Sequence, residues 1–133
     1  MGKYDKFSLF FLLFFLPSIC QAGDLTYDCV IKQVYDVNDV GELKASGWQS
    51  QFEGDKFSVS RETGKIIGKT LTTVFAKETR VVNFGSKANS FKALAEFEGQ
   101  IQLIEIQEFK EGVEKPFIAS SMGGAGIVTG ICK

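Results

Sequence analysis

The residues that most often carry chemistry are scarce in this chain. It has no histidine among its 133 residues, and its three cysteines are Cys20, Cys29 and Cys132. Without an imidazole there is no Ser–His or Cys–His nucleophile pair and no histidine to titrate near neutral pH. Two widely separated cysteines cannot complete a tetrahedral zinc shell. We therefore expect a protein that is not an enzyme and that holds no metal and no cofactor.

Three segments come close to known ligand-binding motifs and differ from them in spacing. Gly64–Thr70 has one residue too few between its glycines for a phosphate-binding loop. Asp36–Gly41 begins like a calcium loop, but Val40 stands where a ligand is needed. The glycines of Gly124–Gly126 and Gly130 do not match the spacing of a dinucleotide-binding fingerprint. We interpret all three segments as turns.

Two places in the sequence supply candidate recognition residues. Ser86, Lys87 and Asn89 belong to a polar loop between two predicted strands, and loops on rigid scaffolds often carry binding. Trp48 is the single tryptophan and has polar neighbours, so it is a candidate interface residue, or alternatively it covers one end of the core. The glycine-rich loop Gly123–Gly126 is a second candidate surface.

The first 22 residues have the pattern of an export signal. A basic start precedes the segment 7–16, in which only Ser8 is polar, and small residues lead to a cleavage site after Ala22. So short an apolar run cannot cross a hydrocarbon layer about 30 Å thick as a helix. We predict that residues 1–22 are a cleaved signal peptide, that residues 23–133 form one β domain, and that there is no stable membrane anchor.

Export determines where the protein works and which partners are excluded. The predicted location is the periplasm or the extracellular medium, and a lipoprotein with Cys20 as its lipid-bearing first residue is the alternative at the cleavage site. Removal of residues 1–22 changes the formal charge from −1 to −2, too near neutral for a nucleic-acid partner. We expect an unidentified protein partner, and a monomer or a small oligomer.

The two cysteines that remain after cleavage lie near the two ends of the domain. In an oxidising compartment an even number of cysteines predicts a disulfide, here between Cys29 and Cys132. Two unpaired buried thiols are the alternative. A disulfide between the first and last strands suits a closed barrel, in which those strands are neighbours.

Alternating apolar and polar residues predict eight or nine β-strands with short turns between them. Phe91–Phe97 illustrates the pattern, with four apolar side chains on one face. Leu71–Ala76 is also predicted to be a strand. In Ile101–Phe109 the alternation shifts by one residue, which suggests a bulge or a strand covered on both faces. Glu62–Lys65 is predicted to be a hairpin turn with Gly64 at positive φ.

These elements predict an all-β fold, a single small antiparallel β-barrel of about eight strands, because closure removes free strand edges. A two-sheet β-sandwich is the alternative. Eight phenylalanines of the domain are numerous enough to fill such a barrel: Phe52, Phe57, Phe75, Phe84, Phe91, Phe97, Phe109 and Phe117.

Three functions are compatible with an exported β domain of this kind. The first is a protein-binding or inhibitory module of the bacterial cell envelope. The others are a carrier of small apolar ligands, which needs a hollow interior, and a structural envelope protein. A domain of this size bracketed by two cysteines is similar in layout to the bacterial periplasmic lysozyme inhibitors. That similarity implies an inhibitory role and is limited to architecture, so no site residue is transferred from that family.

Overall fold

The computed structural model describes residues 25–122 and 126–133. The predicted signal peptide with Cys20, and the glycines of the predicted loop at 123–125, lie outside the described residues. The described residues form nine strands and one short helix: β1 Thr26–Val37, β2 Leu43–Ala45, α1 Gln49–Phe52, β3 Lys56–Ser60, β4 Ile66–Gly68, β5 Glu78–Phe84, β6 Phe91–Phe97, β7 Gln100–Ile106, β8 Lys115–Met122 and β9 Gly126–Cys132.

The strands form one curled antiparallel sheet in the order β4-β3-β1-β9-β8-β7-β6-β5, and β2 pairs with the far end of β1. The predicted all-β, barrel-like fold is confirmed as a half-barrel. The first and last strands are neighbours, as expected, and Cys29 pairs with Cys132 in the ladder and forms the predicted disulfide with it. Within the described residues, the two ends of the sheet, β4 and β5, are not joined by a ladder.

The concave face of the half-barrel carries the core. Alternate residues of β1, Tyr27, Cys29 and Ile31, point into it, as do Phe57 and Val59 of β3. This follows from the period of two along a strand, which sends successive side chains to opposite faces. The core also contains residues from the other strands and from the segment after β4: Val34, Ile66, Leu71, Phe91, Ala93, Ile104, Ile106, Phe117, Ala119, Val128 and Cys132.

Two sequence predictions about strands are wrong. Leu71–Ala76 is not a strand but part of the connection between β4 and β5, in which Leu71 and Thr73 fold back over the core. β7 has no bulge, and it pairs in unbroken register with both of its neighbours. The alternation of apolar and polar residues shifts in the sequence because Gln102, a polar residue, is buried on the concave face beside Ile104, while Leu103 points outward.

The eight phenylalanines do not all fill the interior. Phe57, Phe91 and Phe117 are buried, whereas Phe75, Phe84 and Phe109 are among the exposed large apolar residues; Phe52 and Phe97 are intermediate. The interior of a half-barrel this small is instead completed by aliphatic side chains. The exposed phenylalanines therefore have to be explained by something other than core packing.

Two glycines are required by close approaches of the chain to itself. Gly64 has φ of 74°, as the predicted hairpin turn needs, and an added Cβ would lie 2.7 Å from the Cβ of Ala93 on β6. At Gly130 an added Cβ would clash with the carbonyl oxygen of Val30, next to the bulge in β1 between Ile31 and Gln33. No helix in the described part of the chain is long and apolar enough to span a bilayer.

Candidate functional site

The predicted recognition loop connects β5 to β6 at the end of the half-barrel where β1 begins. The loop is held by its own polar groups: the Ser86 N–H donates to the Asn89 carbonyl at 2.9 Å, and the Ala88 N–H donates to Ser86 Oγ at 3.1 Å. Ser86 and Asn89 are therefore engaged in shaping the turn. Lys87 is exposed at its tip and is the loop residue that is available to a partner.

Trp48, the other predicted recognition residue, lies in a different part of the molecule. It precedes α1, near the far end of β1, and stacks on Phe52 with ring centroids 5.7 Å apart. Its side chain is 55% exposed. The loop with Ser86, Lys87 and Asn89 lies at the end of the half-barrel where β1 begins, whereas Trp48 lies towards the end where β1 finishes. The structure therefore does not bring Trp48 together with the loop.

A cluster that the sequence analysis did not find joins three distant segments at the end where β1 begins. Tyr27 Oη donates a hydrogen bond to Glu108 Oε2 at 2.7 Å. The Arg61 guanidinium lies 4.3 Å from the centre of the Tyr27 ring, and its Nη2 is 3.3 Å from Glu108 Oε1. Since Tyr27 and Glu108 are 81 residues apart, no local pattern in the sequence predicts this contact.

The cluster acts as a structural clamp. Burial, followed by the hydrogen bond to Glu108, raises the pKa of Tyr27 from 10.0 to about 12, although the Arg61 charge opposes the change. The phenol therefore stays protonated at neutral pH and cannot accept a proton there. What it does is tie the start of β1 to the segment that follows β7.

The interior offers little room for a small ligand. In the described part of the core, the gap lined by Gly64, Ile66 and Ala93 is too narrow to admit a water molecule. The larger spaces are open grooves on the surface, the largest of about 550 Å³ on the convex side of β1 and β3, where Lys56 and Asp28 line it. Ligand pockets are usually concave and mostly apolar, a description that this charged groove does not fit.

The edges of the sheet are more informative than its cavities. β3 and β2 occupy the same side of β1 but leave its middle, around Lys32, without a strand partner. The side chain of Gln49, from α1, fills this gap: the Val34 N–H donates to Gln49 Oε1 at 2.6 Å, and Gln49 Nε2 donates to the Lys32 carbonyl at 3.1 Å. One carboxamide thus replaces one residue of a missing strand.

Backbone groups complete the covering of β1. The Ile31 N–H donates to the Asp55 carbonyl at 2.9 Å, and the Ile31 carbonyl accepts from the Gly54 N–H at 2.8 Å. On the other side of the gap, the Ser46 N–H donates to the Val34 carbonyl at 2.9 Å. The edge of β1 is therefore hydrogen-bonded through the whole interval between β3 and β2.

The edge of β4 is covered in a similar way by the connection that follows it. The Thr73 N–H donates to the Ile66 carbonyl at 2.9 Å, and the Ile66 N–H donates to Thr73 Oγ1 at 2.8 Å. Both Ile66 and Thr73 are buried. A single threonine therefore satisfies both backbone groups of Ile66, the first residue of this short strand.

The edge of β5 has no such covering. In the part of the chain that the structure describes, no hydrogen bond from outside β6 reaches the backbone of Glu78–Phe84. The hairpin turn at Gly64 comes near the Arg80 carbonyl without bonding to it. Among the described residues, the outer edge of β5 thus has no partner for its N–H and carbonyl groups, and such an edge is the usual template for pairing with another chain.

The region around this edge, which we call the seam, comprises Lys65, β4, the connection 69–77 and β5. A groove of about 350 Å³ runs between β4 and the start of β5, and Ile67, Val74 and Thr79 are among the residues that line it. Five large apolar side chains of the seam are more than half exposed: Ile67, Val74, Phe75, Val82 and Phe84. Phe75, at 86%, is the most exposed of the large apolar residues described.

The described residues include no cluster of three or more histidine, cysteine, aspartate or glutamate side chains suited to a metal ion. The features that the described residues expose are therefore the apolar seam, a polar loop and a lone tryptophan elsewhere. Comparisons with protein-family models, with curated proteins and with solved structures find no match to this chain.

Proposed function

We propose that this chain is an exported protein-binding module, an inhibitory or adaptor domain of the bacterial cell envelope, and that its binding surface is the seam. The observation that carries the proposal is the contrast between a core gap too narrow for water and the exposed large apolar side chains on and beside β5, whose outer edge has no partner among the described residues. Apolar residues gathered on a rigid scaffold mark interaction sites more often than single scattered ones do.

Export rests on the leader and the disulfide together. Residues 1–22 have the composition of a signal peptide, and the Cys29–Cys132 disulfide persists in the periplasm or outside the cell but rarely in the cytosol. Mass spectrometry of the exported protein should give a chain that begins at Gly23 and carries the intact disulfide. A lipid on Cys20 would replace this proposal by the lipoprotein alternative.

Photo-crosslinking in living cells tests the binding function. Benzoylphenylalanine is introduced at Phe75 in the seam, at Lys87 in the predicted recognition loop, or at Val113 as a control that is exposed in the connection between β7 and β8. We expect a discrete crosslinked partner from Phe75 and none from Val113. Crosslinks from Lys87 alone would move the binding surface to the loop, and no crosslink from either position would contradict the binding module.

A further inference from the structure

We propose that the seam binds an extended polypeptide segment that adds a strand to the open edge of β5, and that this segment alternates apolar with acidic residues. This inference rests on the proposed binding function and goes further by naming the chemistry of the partner. Unpaired backbone groups select for another backbone, because each buried N–H or carbonyl without a partner costs free energy.

The backbone geometry favours strand addition over the docking of a helix. The fold covers the edge of β1 with Gln49 and the edge of β4 with Thr73, yet it leaves β5 uncovered. The groove between β4 and the first residues of β5, Glu78 and Thr79, lies at one end of the open edge, where an incoming strand would begin. A strand bound there would extend the sheet towards β4.

The side chains of the seam favour apolar residues on one face of the incoming strand. Ile67 and Val74 line the groove, and Phe75 and Val82 are exposed close to it in sequence. An extended segment directs alternate side chains to the same face, so apolar residues at every second position could contact this row. The positions between them would face away from the groove.

Charge selects acidic residues for those remaining positions. Between residues 65 and 80, Lys65, Lys69, Lys77 and Arg80 stand against Glu78, a formal charge of +3 in a chain whose total is −1. Lys77 is paired with Glu98, which leaves Lys65, Lys69 and Arg80 as exposed cations of this stretch, and Lys65 lines the groove. A second copy of this chain would bring the same positive charge to the interface, so a foreign acidic segment fits better than self-association.

Synthetic peptides provide the first test. The probes are a ten-residue peptide that alternates valine with glutamate and a matched peptide that alternates valine with lysine. The measurements are amide hydrogen exchange and NMR shifts of the exported protein. We expect the acidic peptide to slow exchange in Glu78–Phe84 and to bind at least about tenfold more tightly than the basic one. Equal binding of both peptides, or no binding at millimolar concentration, would overturn the proposal.

Backbone methylation tests strand pairing itself. Two further versions of the acidic peptide carry N-methyl groups either on every valine or on every glutamate. In an added strand, alternate N–H groups point to the same side, so one version should lose at least about tenfold in affinity while the other is little changed. Equal affinities for the two versions would show that no ladder forms.

Charge reversal in the protein tests the selection of acidic residues. We expect Lys65→Glu combined with Arg80→Glu to reverse the preference, so that the basic peptide binds more tightly. The matched control, Lys44→Glu combined with Lys87→Glu, makes the same change of net charge at exposed positions outside the seam and should keep the preference for the acidic peptide. An unchanged preference in the seam variant would overturn the assignment of an acidic partner.

The two proposals fail in different ways. A natural partner that crosslinks at Phe75 but leaves the amides of β5 unprotected would support the binding module and remove strand addition. Loss of every crosslink, together with no protection of β5 by the acidic peptide, would remove both. Protection of β5 by the acidic peptide in a protein with no crosslinked partner would support the chemistry of the seam while contradicting its use in the cell.

Discussion

Among the described strands, β1 and β5 each have an edge where backbone N–H and carbonyl groups lack a partner strand, and the fold treats the two edges differently. At β1 the Gln49 carboxamide and neighbouring backbone groups pair both backbone groups of Ile31 and Val34 and the Lys32 carbonyl, in the interval between β3 and β2. At β5 the described residues supply nothing beyond the ladder with β6. An exposed strand edge is a liability that proteins normally cover or blunt. Within the described residues the fold covers the edge of β1 and leaves the edge of β5 open, and the open edge is the one that the proposed partner would use.

Two features of β5 keep it from being an indiscriminate template. Its register shifts between Val81 and Asn83, and such a bulge increases the local twist of a strand. Glu78 and Arg80 add exposed charges of both signs. These are familiar means of limiting edge-to-edge aggregation, and they would make the open edge selective for a segment of suitable charge.

The largest effect should come from releasing β1 from β9. Cys29→Ala combined with Cys132→Ala removes a crosslink between residues 103 apart, and the chain-entropy model assigns about 4.7 kcal/mol to such a loop. We expect urea denaturation to show a loss of this order, with faster exchange in β1 and β9. A loss below about 1 kcal/mol would mean that β1 is held mainly by its hydrogen bonds, so that the disulfide adds little to the covered side of the sheet.

A second test acts near the same end of β1, through the pKa of Tyr27. Because the pKa is raised to about 12 in the fold and is 10.0 otherwise, the stability that this group contributes is complete below pH 10 and is lost as the pH rises through 12. The full shift corresponds to about 3 kcal/mol. The ultraviolet absorbance of the phenolate should report the raised pKa directly.

Tyr27→Phe is the matched variant for this titration. It keeps the ring beside Arg61 and removes the hydroxyl that donates to Glu108, so stability at neutral pH should fall by about 1 kcal/mol. The part of the alkaline destabilisation that belongs to Tyr27 should disappear. Identical pH profiles for both proteins would contradict the clamp.

The role of Gln49 in covering β1 gives the next largest expected effect. Gln49→Ala leaves the buried Val34 N–H and the Lys32 carbonyl without partners, which should cost about 2 kcal/mol in the free energy of unfolding. Gln51→Ala, an exposed position in the same helix, is the control and should change stability by no more than about 0.5 kcal/mol. Equal effects would show that Gln49 acts through helix propensity instead of through the edge.

Much of this fold could be predicted from the sequence because the signals are local. The alternation in Phe91–Phe97 gives the inward and outward faces of β6, and Gly64 marks a turn that only a residue at positive φ can make. The disulfide followed from an even number of cysteines. In each case the information lies within one strand, one turn or one simple count.

The covering of edges and the seam could not be predicted because they depend on contacts between distant segments. Nothing near Gln49 indicates that its carboxamide takes the place of a strand residue beside Lys32. The strand order is also non-local: β3 and β4 lie beyond β1, on the side away from β9, so the predicted neighbours β1 and β9 lie inside the sheet instead of at its closure. The sequence counts Phe75 among the phenylalanines that could fill a barrel, because nothing near it reveals that the sheet ends at β5 and leaves this side chain exposed.

The smallest expected effect comes from two adjacent valines at the bulge of β5, one turned to the core and one to the surface. Val81 packs against the core, whereas Val82 is more than half exposed. Val81→Thr brings a hydroxyl into an apolar contact and should cost about 1 to 2 kcal/mol, while Val82→Thr should change the free energy of unfolding by no more than about 0.5 kcal/mol. If the two substitutions cost the same, Val82 must pack within the domain and the edge of β5 is not open. If they differ as expected, the exposed Val82 side chain contributes little to folding and stays on the surface of the seam, where the proposed partner would bind.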